Sequence, residues 1–224
     1  MTTESTGKPQ APDGFWSVPR MWEGQTVVII GGGWSLMDFD WKKLRPYRCI
    51  GCNDAYQLGP RVVDLCFFGD GHWFRIHNRD WIDETGTPGL RKFHGIVATN
   101  TEKAVRGSWV KRLVRRPRGL RREPWMCAWN GNTGAAAVNV ALHTGAKKIV
   151  LVGFDMKLSP EGIANYHPNL KDKPNEEVYP RFIAGFENLK MSLREMYQGV
   201  VVVNATPGSA MSTFPVMSLD EALA

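Results

Sequence analysis

Cysteine is scarce in this 224-residue sequence, with only Cys49, Cys52, Cys66 and Cys127. Four thiols do not make a disulfide framework, and a chain of this length buries roughly 70% of its unfolded surface without one. No run of 18 apolar residues occurs, so no segment is expected to span a bilayer. The first twenty residues lack the apolar stretch of a secretory signal, and a cytoplasmic protein with reduced thiols is expected. There is no internal repeat, which argues against a solenoid. Acidic residues are missing from one place only. Between Arg106 and Arg122 lie eight of the 28 basic residues and no acid, leaving 20 basic against 22 acidic residues elsewhere. The net charge of +6 is therefore local, and a general cationic coat is excluded. The remaining composition, 43% hydrophobic and 22% charged, is ordinary for a globular domain and excludes a disordered chain, a collagen-like fibre and a coiled coil.

What is present alternates in type along the chain. Residues 1–24, rich in Thr, Pro, Gly and Ser, read as a flexible lead with aromatic anchors at Phe15, Trp16 and Trp22, ahead of one domain over 25–224. Short apolar runs predict strands at Thr26–Ile30, Tyr47–Gly51, Val62–Phe68, Phe93–Ala98, Pro124–Ala128, Lys148–Val152 and Val200–Val203. Helices are expected from Ser35, as cap, to about Leu44, then over 72–84, 101–116, the Ala-rich stretch 134–144 and Arg181–Tyr197. Residues 156–180 hold four prolines and little periodicity and read as a lid-like loop. Strands alternating with helices define an α/β fold, with a mostly parallel sheet and helices on both faces.

In such a sheet ligands bind beyond the carboxyl ends of the strands. Small and polar residues gather there. The first strand ends in Gly31-Gly32-Gly33-Trp34-Ser35 and the second in Asn53-Asp54. The third ends in Gly69-Asp70. Asn132-Thr133-Gly134 opens the Ala-rich helix, and the following strand ends in Gly153-Phe154-Asp155. Glycines let the backbone approach a phosphate, and a helix N-terminus offers unpaired N–H groups. The set Gly31, Gly32, Gly33, Ser35, Asn53, Asp54, Asn132, Thr133, Gly134, Asp155 and Ser209 is the expected nucleotide site. No G-x-G-x-x-G or Gly-Lys-Ser/Thr motif is present. Thr133 also suits a helix N-cap, and Asp155 either a ribose contact or a turn cap. Among five histidines, His167 lies in the irregular loop, where a titrating imidazole could reach a ligand, and His72 comes second. His143, in the Ala-rich helix, reads as structural. Cys49-x-x-Cys52 has half the spacing of a zinc site but no second pair, so buried thiols and no metal are expected.

The set Gly31-x-Gly33-x-Ser35-Leu36, Cys52-Asn53, Asn132-Thr133-Gly134, Gly153-Phe154-Asp155-Met156 and Pro207-Gly208-Ser209 resembles the bacterial lipooligosaccharide sialyltransferases. The chain also looks like the related 6-hydroxymethylpterin pyrophosphokinase-like group, small members of which occur in bacteriophage genomes. The resemblance covers residues 25 to 215. It implies a single Rossmann-like domain that binds a cytidine nucleotide sugar and transfers the sugar without a metal, often as a homo-oligomer. By position it carries over the glycine turn and Ser35 to the phosphate and nucleotide. Asn53 goes to the nucleotide or sugar, and Asn132, Thr133 and Gly134 to ribose and phosphate. Asp155 is placed at the nucleotide edge, with Ser209 near the same pocket. The sequence departs from the family at Gly32 and Trp34, where the family has Asn and Pro. It also has no histidine at Val178-Tyr179-Pro180-Arg181, where the family carries its general base.

Three functions follow as expectations. The first is a nucleotide-sugar glycosyltransferase in which His167 or Asp70 takes the acceptor's proton. The second is a pterin-type diphosphokinase using ATP and Mg²⁺ held by Asp54, Asp70 and Asp155. The third is a protein that binds a nucleotide without catalysis. The basic segment 106–122, with Arg112, Arg115, Arg116 and Arg118 beside Trp109 and Trp125, is expected to contact nucleic acid or another anionic acceptor, or else to be a solvated face.

Overall fold

A computed structural model describes residues 10–101, 109–167 and 175–224. The strands β1 (Thr26–Ile30), β2 (Arg48–Cys52), β3 (Leu65–Phe68), β4 (Ile96–Thr99), β5 (Lys111–Arg112), β8 (Lys148–Val152) and β9 (Val201–Asn204) form one sheet in the order β5-β4-β3-β2-β1-β8-β9. Every neighbouring pair is parallel. Strands β6 (Val114–Arg116) and β7 (Met126–Ala128) pair separately, also in parallel.

Strand periodicity sorts the core into two layers. Val27 and Ile29 of β1 pack with α2 (Thr133–His143) and α3 (Tyr179–Met196), whereas Val28 and Ile30 face the layer holding α1 (Gly71–His77) and α4 (Leu219–Leu223). Both faces are thus covered, as a fully buried parallel sheet requires. Helix α2 is buried along its whole length, and its alanines allow a close approach to β1, β2 and β3. The buried polar residue Asn139 is satisfied on every side. It accepts from the backbone N–H groups of Arg121 and Ala128 and donates to the Arg121 carbonyl. His143 donates from Nε2 to the Met126 carbonyl over 2.8 Å, the structural role read from its position. Cys49 and Cys52 project into opposite layers, and all four cysteines are buried and free.

Residues 16–22, ahead of β1, are docked: Val18 and Trp22 are buried, Trp16 N bonds the Arg112 carbonyl and Trp22 N bonds that of Thr144.

Three predicted helices are corrected. The helix expected over 101–116 is replaced at its C-terminal end by β5 and β6, residues 102–108 lying outside the described residues. Val110 and Leu113 enter the two cores, and pairing with β4 and β7 outweighs the helix preference of the arginines. The helix expected over 72–84 stops at His77. Asp83 then closes a turn, its Oδ1 accepting from the Thr85 and Thr87 amides and the Thr85 hydroxyl. The helix expected from Ser35 to Leu44 is two 3₁₀ turns, Trp34–Leu36 and Trp41–Leu44, the second capped by Asp40; Ser35 caps neither.

Candidate nucleotide cleft

The chain builds outward from β1 to β5 on one side and returns through β8 and β9 on the other, so the strand order reverses between β1 and β8. Their carboxyl ends flank the crevice where open α/β sheets take ligands. A cleft of about 1170 Å³ opens there. Gly31, Gly32, Gly33, Asn53, Asp54, Asp70, Asn132, Thr133, Gly134, Asp155 and His167 all line it. Sites read separately from five strand ends therefore converge on one space.

The glycines meet a requirement other than ligand approach. Gly31 N and Gly33 N donate to the Val152 and Gly153 carbonyls, so neither is an open donor. A Cβ at Gly31 would collide with the Gly153 carbonyl, and one at Gly33 with the Asp155 carboxylate. These two residues let the β1 and β8 loops close on each other. Gly32 faces Asn165 and His167, whose polar atoms lie 3.2 and 3.5 Å from where its Cβ would be. The segment 165–167, read as part of a lid, is seated on this turn: Tyr166 N bonds the Gly32 carbonyl, and Tyr166 packs against Trp41. Residues 168–174 of that segment lie outside the described residues.

At Asp155 the Oδ2 accepts from the Ser35 hydroxyl over 2.9 Å. Burial raises its pKa, with the Ser35 bond opposing. Ser35 thus acts through Asp155, and Ser209 sits behind the same loop, donating to the Phe154 carbonyl and accepting from Met211 N. Asn132, rather than Thr133, caps α2. Its Oδ1 accepts from Ala135 N, and its amide donates to the Phe182 carbonyl, tying α2 to α3. The Thr133 hydroxyl is 3.4 Å from Asn53 Oδ1. Asn53 (φ 50°), Asn130 (φ 53°) and Met156 (φ 54°) are left-handed at the ends of β2, β7 and β8. Such backbone costs about 1 kcal/mol or more per residue and gathers at ligand sites.

Of the expected proton acceptors, Asp70 caps α1 through a 2.7 Å bond from His72 N. Burial lowers the pKa of His167, and Asp54 partly restores it. Asp54, Asp70 and Asp155 are not gathered into a metal-binding group; among the described residues no three His, Cys, Asp or Glu side chains are. Of the basic residues, Arg115 lines the cleft, lying over the Trp129 ring at 4.1 Å and bonding the Gly69 carbonyl. Arg116 and Arg118 are exposed outside it, and Arg112 stacks on Phe15. Tyr179 and Arg181, at the start of α3, and His77, at the end of α1, also line the cleft and were not anticipated. The signal for His77 was its i,i+4 spacing from Trp73, which puts both on one helix face.

A parallel α/β sheet with a polar cleft at its point of reversal is a Rossmann-like architecture. The chain is similar over 90% of its length, and 87% of the other's, to the sialyltransferase CstII of Campylobacter jejuni, solved in complex with a substrate analogue, cytidine-5′-monophosphate; the TM-score is 0.52 at 12% identity. No protein-family model matches the sequence, and no curated protein does.

Proposed function

We propose that the protein is a glycosyltransferase that takes a sugar from a nucleotide-sugar donor of the CMP-sugar kind. The observation that carries this reading is the convergence of the strand-end residues on one cleft at the sheet's reversal point, in a fold shared with a sialyltransferase solved with a cytidine nucleotide. In this reading the donor phosphate lies at the start of α2, against Thr133 and Gly134, with Arg181 close by. Asn53, Asp54 and Asp155 take ribose and sugar hydroxyls, while Gly32 leaves room beneath His167. Ser35, Ser209 and the paired glycines hold the loops that carry these groups.

Arg115 inside the cleft, with Arg116 and Arg118 outside it on the same stretch of chain, supports an acceptor that carries negative charge. Binding of such an acceptor would weaken with salt, whereas nucleotide binding in the cleft would weaken less.

A thermal-shift series with cytidine, uridine, guanosine and adenosine nucleotides, with and without Mg²⁺, tests the reading. A ligand at 100 times its Kd adds about 2.7 kcal/mol of stability, a rise of roughly 5–10 °C for this size. The expected outcome is a metal-independent rise with CMP. A rise confined to ATP with Mg²⁺ would instead favour diphosphoryl transfer, and no rise with any nucleotide would sink both readings. A CMP rise without release of CMP from any sugar donor would leave the non-catalytic binder.

A further inference from the structure

One cluster in the cleft wall joins Asp54 to Tyr56 and His77, two residues outside every sequence motif. Tyr56 donates its hydroxyl hydrogen to the Pro88 carbonyl over 2.6 Å. The same oxygen lies 3.1 Å from His77 Nδ1. Because the hydroxyl has one hydrogen and it is already committed, Nδ1 must be the donor in that second bond. The neutral ring then carries a bare lone pair at Nε2. That atom is 3.5 Å from Asp54 Oδ1. Asp54 is held in place by Gln57, which donates to Oδ1, and by the Trp73 indole, which donates to Oδ2, both over 3.0 Å. Trp73 also stacks on the imidazole with ring centroids 4.4 Å apart. Two acceptors, a lone pair and a carboxylate oxygen, thus face each other on the cleft surface, each locked by its own partners. What satisfies both is a hydrogen supplied by something in the cleft.

We infer that His77 Nε2, held by Tyr56 and paired with Asp54, is the group that takes the proton from the attacking hydroxyl. This rests on the glycosyltransferase reading. The acceptor O–H bond breaks and its proton moves to Nε2, giving an imidazolium beside Asp54. The acceptor oxygen bonds the anomeric carbon as the bond from that carbon to the phosphate oxygen breaks, and the electron pair leaves with the nucleotide. Water can stand in for the acceptor, so donor hydrolysis requires the same proton transfer. His167 remains a wall over Gly32, and Asp70 remains a helix cap.

The pH behaviour has a defined origin. Burial lowers the His77 pKa and Asp54 raises it; Arg79 and His167 lower it further, and Asp83 raises it slightly. The imidazole is therefore neutral, and competent as a base, through neutral pH.

Two measurements test the assignment. Long-range ¹H–¹⁵N spectra of the full chain should show His77 as the Nδ1–H tautomer with an unprotonated Nε2. An Nε2–H tautomer overturns the assignment regardless of which donor is used. Release of CMP from CMP-N-acetylneuraminate is then followed against pH. His77→Gln should cut turnover at least about 100-fold while keeping the CMP thermal shift, which also reports that the variant folds. Asp54→Asn should move the acid limb of kcat/KM to lower pH, a change that a packing role would not produce, and His167→Asn should move it slightly the other way, because His167 lowers the His77 pKa. Wild-type turnover in His77→Gln, or an acid limb that is lost altogether in His167→Asn, overturns the proposal. A wild-type chain that neither binds CMP nor releases it overturns the transferase reading itself, an outcome distinct from either of these.

Discussion

Single atoms decide whether the cleft exists. At Gly33 the missing Cβ leaves the space taken by the Asp155 carboxylate, and the amide is spent on Gly153. Gly33→Ala should therefore destabilise the fold by roughly 1–3 kcal/mol, measured by urea denaturation, with loss of the CMP shift. Gly32→Ala, whose Cβ would meet only the ends of two polar side chains, should cost less than about 1 kcal/mol in the same assay. If both variants behave alike, the two loops do not meet as described. The triplet was plain in the sequence. The reason for it was not, because the colliding group lies 122 residues further along the chain from Gly33.

Helix α2 is the element on which most of the site depends. Its cap, Asn132, serves two helices at once, through Ala135 N and the Phe182 carbonyl. Asn132→Ala should cost about 1–2 kcal/mol, at the upper end of cap losses because the α3 contact goes as well; calorimetry reads this directly. Asn139→Ala should cost more, about 2–4 kcal/mol, because it strands the Arg121 and Ala128 amides and the Arg121 carbonyl in the interior. The Ala-rich run announced this helix on composition alone. The opposite holds for 111–116, whose charged residues favour a helix locally but form β5 and β6 because pairing partners are available. The early stop of α1 was likewise hidden, since it depends on the Asp83 turn and on Tyr56 reaching Pro88.

At the scale of the whole molecule, three histidines, His143 buried and His77 and His167 half-buried, share one sign. Burial is the leading cause that lowers the pKa of His77, His143 and His167 below the ordinary 6.5. The unfolded chain therefore binds protons first as pH falls, and stability held above about 6.5 is lost through the folded-state values. The melting temperature should drop between pH 7 and pH 5, and His143→Gln should flatten that slope without moving the acid limb of any catalytic profile. An unchanged melting temperature over that range would contradict the burial of these rings. The short-range sequence pattern determined the α/β class, the buried strands, the Ala-rich helix and the strand-end residues of the cleft, because strand periodicity and end-of-strand chemistry are local. Only the tertiary structure decided the order of strands, the close packing of the β1 and β8 loops, and the meeting of Tyr56, Asp54 and His77. Each of those depends on contacts between residues remote in the chain, which no window of sequence contains.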